Sequence, residues 1–209
     1  MRSDINVVYG CCTGDWEKFQ RNVISRVQNR RIIATSGHTG IVAPYNMILD
    51  AVVDWNLDAL ILLHDDLELT DPDGEEKLIN ALADPQVALA GVAGGGGGSL
   101  YWWDHSPIGH QLTDVTNIDF GTREGEVTLV EGSIMALSPW LIRNLRFDSI
   151  FTGFHGYDEI GMQIRSHGKK SVVVDVDTHH HNPTGYSSPE SAEMCRLANQ
   201  LYKEKWGLP

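Results

Sequence analysis

What this chain has little of narrows it first. It carries 3 cysteines in 209 residues, and two of them, Cys11 and Cys12, are neighbours. An odd count with a vicinal pair is a poor disulfide framework, and no CxxC offers a metal knuckle. A reducing compartment, the cytoplasm, is expected, with Cys11 and Cys12 as small residues at the end of a buried strand. No apolar run approaches the ~18 residues of a membrane span. The opening MRSDINVVYG turns polar too quickly for a signal peptide. Positive charge is also short: Lys plus Arg is 16 against 28 Asp plus Glu, a net charge of −12. Such a surface repels nucleic-acid backbones. One small phosphorylated ligand stays possible, because a bound divalent cation reverses the local sign.

Several catalytic signatures are missing too. The glycine run Gly94–Gly98 lacks a GK[ST] ending, and the first strand–helix turn lacks GxGxxG. There is no HExxH and no evident Ser–His–Asp or Cys–His set.

What is present is an ordinary globular balance, 42% hydrophobic and 21% charged, long enough for one domain with one sizeable core. Ile5 to Tyr9 reads as a buried strand ended by Gly10. Gly14 to Gln28 carries Trp16, Phe19, Val23, Ile24 and Val27 at helical spacing. Strands follow at 31–35, 59–63 and 87–93, with helices at 43–55 and 73–83. This β-α alternation predicts an α/β fold, its mostly parallel sheet flanked by helices, with ligands beyond the carboxyl ends of the strands. From Gly94 to Gly125 the pattern is lost, which predicts a functional loop or lid. Strands return at 127–130, 133–137 and 171–176, with helices at 157–166 and 188–205. The last helix is expected to be polar and exposed.

Three clusters could carry chemistry. His64-Asp65-Asp66 ends a buried strand: a hard-cation site for Mg²⁺ or, with imidazole, Mn²⁺, or else a polar turn. Asp158 and Glu159 open a helix, where a carboxylate either answers the helix dipole or serves as a general base. Asp175, Asp177 and His179 alternate onto one side, and His179, His180 and His181 are either metal ligands or solvated. The sequence does not say which histidine would bind. Trp102 and Trp103 are a stacking face for a sugar or core residues.

Taken together, Ala43-Pro44-Tyr45-Asn46, Leu62-Leu63-His64-Asp65-Asp66-Leu67-Glu68, Leu89–Gly94 with Trp102-Trp103, Glu131–Leu137 and Phe154-His155-Gly156-Tyr157-Asp158 resemble, in order and spacing, the family-2-like glycosyltransferases of the GT-A fold. His64-Asp65-Asp66 is similar to the His-Asp-Asp variant of that family's Asp-x-Asp motif. The resemblance spans roughly residues 5–182. It implies a single GT-A domain: a nucleotide-binding half over 1–93, an acceptor and catalytic half over 94–187 and a C-terminal helix over 188–209.

The same resemblance implies transfer of a sugar from a nucleoside-diphosphate sugar to an acceptor hydroxyl, with inversion. Asp158 would be the base. Asp66, with His64 and with His179 or His181, would hold Mn²⁺ or Mg²⁺. Gly10, Cys11, Asn46 and Asp65 would line the nucleotide pocket. Trp102, Trp103, Glu131 and Tyr157 would meet the substrate. The neutral Ile33-Ala34-Thr35-Ser36 leaves the nucleotide base unassigned. A metal-dependent hydrolase, a non-catalytic nucleotide-sugar or carbohydrate-binding protein, and a homo-oligomer all remain open on the residues alone.

Overall fold

The computed structural model describes residues 5–27, 29–38, 40–97, 99–152, 154–181 and 189–208, with side chains omitted at 189–191. Gln28, Gly98 and Ser188, assigned above to a helix end, the glycine run and the start of the last helix, lie outside the described residues, as does Gly153, just before the Phe154–Asp158 segment.

The first half alternates as its apolar pattern requires. Strands β1 (Val7–Thr13), β2 (Arg31–Ser36), β3 (Ala59–His64) and β5 (Val87–Gly91) are separated by helices α1 (Trp16–Phe19), α2 (Val42–Val52) and α3 (Gly74–Ala81), with the short β4 (Leu67–Leu69) after β3. The helix expected to reach Gln28 instead passes from α1 into a π-helical turn at Gln20–Ile24. There the buried Asn22 amide donates to the Asp65 carbonyl (3.1 Å), tying the turn to the end of β3.

The principal sheet runs β2-β1-β3-β11-β5-β12-β9, with β9 (Gly125–Val127), β11 (Ile134–Leu137) and β12 (Lys170–Val173). β1 is parallel to β2 and β3, and β12 is parallel to β5. β11 is antiparallel to both β3 and β5. Five of the seven strands therefore run one way, with β11 reversed in the middle and β9, antiparallel to β12, reversed at the edge.

Alternation along β3 feeds two cores. Leu60 and Leu62 join Val8, Tyr45, Ile48, Met135 and Ile160 on one face. Ile61 and Leu63 join Tyr9, Phe19, Val23, Leu78 and Ala136 on the other. Each such side chain, fully buried, contributes about 1.5–3 kcal/mol.

The region expected to be a loop or lid contributes strands to a second sheet. Strands β6 (Ala93–Gly95), β7 (Ile108–Thr113) and β8 (Asn117–Asp119) fall inside it. With β10 (Leu129–Val130), β13 (Thr178–His180) and β4 they give the order β10-β6-β7-β13-β4, with β8 on β7. These strands are short and carry glycine and polar residues, so no apolar period marks them. α4 (Pro139–Asn144), α5 (Gly156–Ser166) and α6 (Pro189–Trp206) complete the chain.

α6 is exposed along much of its length, as expected, but its last turns are anchored. Tyr202 is wholly buried, and Lys205 pairs with Asp148 and with the fully buried Glu159 of α5, both at 2.6 Å. Glu159 thus anchors α6. Among the described residues no helix is long and apolar enough to cross a membrane, and the three cysteines are unbridged.

Candidate functional site

β3 is buried until His64, so Asp65 and Asp66 emerge where the strand ends. The two carboxylates then part. Asp65 Oδ2 accepts from the Thr13 hydroxyl (2.8 Å) and from the Gly14 and Asp15 amides (2.9 and 3.2 Å), which clamps the loop after β1. Asp66 faces β13, where His180 Nε2 lies 3.2 Å from its Oδ1. His64 completes the group: its ring sits 5.4 Å from that of His180, and one ligand atom from each of His64, Asp66 and His180 falls within 4.8 Å of the others.

The histidine that meets Asp66 is therefore His180, not His179 or His181. Side chains alternate along a strand, so β13 sends His180 inward and its two neighbours to the other face, where they meet Glu68. Asp175 and Asp177 join neither set; they pair with His110 at 3.5 and 2.9 Å. The strand β12 stops at Val173, so the alternation expected to carry Asp175, Asp177 and His179 to one side is broken before it reaches them.

A hydrogen-bond chain fixes the His180 ring. Glu131 Oε2 accepts from both the amide and the hydroxyl of Ser133. That hydroxyl, having donated, accepts from Gln111 Nε2 (2.7 Å). Gln111 consequently turns its Oε1 toward His180 Nδ1 (3.3 Å), which must carry the proton. Nε2 then points its lone pair at a carboxylate. Only a proton or a cation between them makes that contact favourable. Burial opposes charge on His180, yet the Asp66 carboxylate prevails and its pKa stands above the usual imidazole value. Burial drives that of His64 down. Two imidazoles and a carboxylate thus fit a divalent cation, and the nitrogen donors favour Mn²⁺ over Mg²⁺.

His64 also reaches the second carboxylate cluster. Its Nε2 lies 2.6 Å from the Tyr157 hydroxyl, in the first turn of α5. Gly132 makes room for this, because a Cβ there would overlap the Tyr157 ring. Asp158 follows Tyr157. Burial lifts its carboxyl above the ordinary range; the His155 hydrogen bond pulls it partly back, and nearby Glu131 adds to the rise. His155 Nδ1–H donates to Asp158 Oδ2 (2.9 Å).

The His155 ring belongs to an aromatic column that nothing in the spacing announces. It stacks on Tyr202 (centroids 4.5 Å) and on Tyr101 (5.7 Å), which in turn stacks on Trp103 (4.7 Å). Asn199 of α6 meets both His155 and Tyr101. Trp103 caps the column, half exposed at 51%. Trp102 packs edge-on against Trp103 and Phe120. Tyr101, His155, Asn199 and Tyr202 are additions; only the His155-Asp158 spacing at the helix start hinted at one of them.

Three residues expected at the nucleotide are already engaged within the fold. β1 does not end at Gly10. It runs to Thr13, and Gly10 and Cys11 sit between β2 and β3 with partners on both sides. Their backbone groups belong to the sheet, and the strand end lies at Thr13, with Gly14 next in the chain. Asn46 holds the Phe147 backbone from both ends, donating to its carbonyl (2.8 Å) and accepting from its amide (2.9 Å). Its amide is therefore a staple between α2 and the segment after α4.

No protein-family model matches the chain. The streptomycin biosynthesis protein StrF of Streptomyces griseus is 29% identical over 186 residues, which are 83% of this chain and 66% of that protein. Among solved structures, GalNAc-T7 with UDP, GalNAc and Mn²⁺ is similar with a TM-score of 0.61 at 12% identity, over 96% of this chain and 49% of that one. The mannosyltransferase PcManGT from Pyrobaculum calidifontis, in complex with GDP-Man and Mn²⁺, gives 0.62 at 10% identity, over 95% and 63%. A197 from STIV gives 0.58 at 10%, over 84% and 85%. At such identities the likeness speaks to fold, and the mixed α/β fold is similar to that of the GT-A glycosyltransferases.

Proposed function

We propose that this protein is a metal-dependent glycosyltransferase that moves a sugar, with inversion, from a nucleoside-diphosphate sugar to an acceptor hydroxyl. One observation carries the reading. The His64–Tyr157 hydrogen bond joins the cation-type cluster of His64, Asp66 and His180 to the helix turn that holds the buried Asp158. Two chemistries of opposite demand, charge neutralisation and proton removal, thereby border one place.

His64, Asp66 and His180 would hold the cation, Mn²⁺ or Mg²⁺. When bound, it supplies positive charge that offsets the negative charge growing on the departing diphosphate. Gln111 keeps His180 Nε2 turned toward that point, as an outer partner of a ligating imidazole does. Asp158 takes the proton from the acceptor hydroxyl while that oxygen bonds the anomeric carbon and the bond to the diphosphate breaks. A raised pKa brings such a base nearer its working pH. His155 orients the carboxylate, and Trp103 offers an apolar face to a sugar ring. A single displacement calls on no protein nucleophile.

The test is a thermal-shift screen of nucleoside-diphosphate sugars with and without Mn²⁺, since a ligand of the folded state raises its melting temperature. Hits are followed by turnover against small hydroxylated acceptors; the similarity to a protein of streptomycin biosynthesis makes antibiotic intermediates the first set. Mn²⁺-dependent donor binding that Asp66→Ala abolishes, with binding retained and transfer lost in Asp158→Asn, is the expected pattern. Donor affinity unaffected by Asp66→Ala, or normal transfer by Asp158→Asn, refutes it. Release of free sugar without any acceptor transfer would mark a hydrolase.

A further inference from the structure

The outward face of β13 carries a cluster that the proposed reaction leaves unused. His179 and His181, two positions apart on one face, hold their rings 4.0 Å apart. Both aim at one oxygen: His179 Nε2 and His181 Nδ1 lie 2.9 and 3.0 Å from Asp114 Oδ1. The other nitrogen of His181, Nε2, lies 3.4 Å from Glu68 Oε2. Arg26 takes the remaining Glu68 oxygen, Oε1. Glu68 and the two histidines are recessed, with side chains 16%, 25% and 27% exposed.

The donor count adds to this geometry. A neutral imidazole has one N–H and one lone pair, yet both nitrogens of His181 face carboxylate oxygens. One of those contacts sets a lone pair against negative charge unless a proton or a cation fills it. If Nδ1–H donates to Asp114, the open lone pair is Nε2, toward Glu68. Zn²⁺ bound to nitrogen and oxygen at 2.0–2.2 Å in a tetrahedron spaces its ligand atoms by ~3.3 Å, close to the 3.4 Å between His181 Nε2 and Glu68 Oε2, and a ligand atom of His179 lies within 4.8 Å of both residues' ligand atoms. Asp114 behind Nδ1 is then the carboxylate that orients a ligating imidazole.

We infer that Glu68, His179 and His181, backed by Asp114, form a second cation site, for a borderline metal of the Zn²⁺ class, on the opposite face of β13 from Asp66 and His180. Imidazole nitrogens select such ions over Mg²⁺ or Ca²⁺. The site spans two strands. Glu68 belongs to β4 and His179 to β13, where they are paired residues, and the His181 amide donates to the Asp66 carbonyl (2.8 Å). A metal there clamps together the two segments that present Asp66 and His180. The inference stands apart from the glycosyltransferase reading.

The test is zinc stoichiometry on the full chain, free of any affinity tag, stripped with a chelator and titrated in competition with a chromogenic chelator. His179→Gln/His181→Gln should hold one equivalent fewer than the unaltered chain, while Asp66→Ala keeps that equivalent. Asp114→Asn, which retains every ligand and guards against a variant that misfolds, should weaken it about 10- to 100-fold. Unchanged stoichiometry in the double variant, loss of all zinc in Asp66→Ala, or an unaltered affinity in Asp114→Asn overturns the site. Cobalt in place of zinc should give a visible spectrum that the double variant lacks; identical spectra count against it.

Discussion

His155→Gly isolates the tuning of the proposed base. The histidine donates to Asp158 across 2.9 Å, and the two side chains are 1% and 13% exposed. His155 sits in the left-handed backbone region (φ 62°), so glycine takes its place without strain. A hydrogen bond to a charged group contributes about 1.5–3 kcal/mol, and one pKa unit corresponds to about 1.36 kcal/mol. The bond favours the ionised carboxylate, so its loss raises the Asp158 pKa by about one to two units. That adds to the rise burial already imposes. A general base works when ionised, so transfer rate climbs with pH through this pKa. The acid limb of the kcat–pH profile should therefore move upward by about the same amount. Donor affinity, set at the Asp66 end, should hold. Added imidazole, refilling the space between Tyr101 and Tyr202, should return the limb toward its original position. A limb that stays put, or moves to lower pH, refutes the assignment of Asp158 as a base tuned by His155.

Further expectations bear on the neighbouring parts. Gln111→Leu removes the oxygen that faces His180 Nδ1 and should weaken Mn²⁺ binding about 10- to 100-fold; equal affinity by titration calorimetry would show that the ring needs no such support. Gly132→Ala drives a methyl into the Tyr157 ring. Denaturant unfolding should show a loss of about 1–3 kcal/mol, and the acceptor reaction should slow as the His64–Tyr157 contact shifts; unchanged stability contradicts the packing described. Trp103→Ala, at an exposed position stacked on Tyr101, should cost stability only about 1 kcal/mol yet raise the acceptor KM. An unaltered KM across acceptors removes Trp103 from the acceptor site.

The fold was legible where burial writes a period into the chain. Ala59–Leu63 has no polar residue because both faces of β3 are covered, and the parallel half follows from strands of that kind. The second sheet was not legible. β6 is Ala-Gly-Gly and β8 is Asn-Ile-Asp; strands of three residues are too short to carry an apolar period, and their pairing, β6 with β10 and β7 and β8 with β7, leaves no mark of its own in the sequence. At β1 the apolar run stops at Tyr9, yet the strand continues through Gly10, Cys11 and Cys12 to Thr13. β2 runs beside it to the end, and β3 as far as Cys12.

At the site, residue types were readable and partnerships were not. A buried strand ending in His64-Asp65-Asp66 announces polar chemistry, but it took the fold to show that Asp65 holds the Thr13–Asp15 loop while Asp66 faces β13. Three consecutive histidines signal ligands without choosing among them. Choice came from register: His179 lies opposite Glu68 and His180 opposite Leu67, so alternation sends His180 alone toward Asp66. A shift of β13 by one residue would reverse every one of these assignments. What prevents that shift is the inward face itself. His180 is nearly buried and engaged by Gln111 and Asp66 together, and placing Thr178 and His180 outward would bring His179 and His181 under cover with no Gln111 carbonyl aligned to meet them. The hydrogen-bond chain from Glu131 through Ser133 and Gln111 therefore does two things at once. It selects the histidine that can face a cation, and it locks the strand register on which that selection depends.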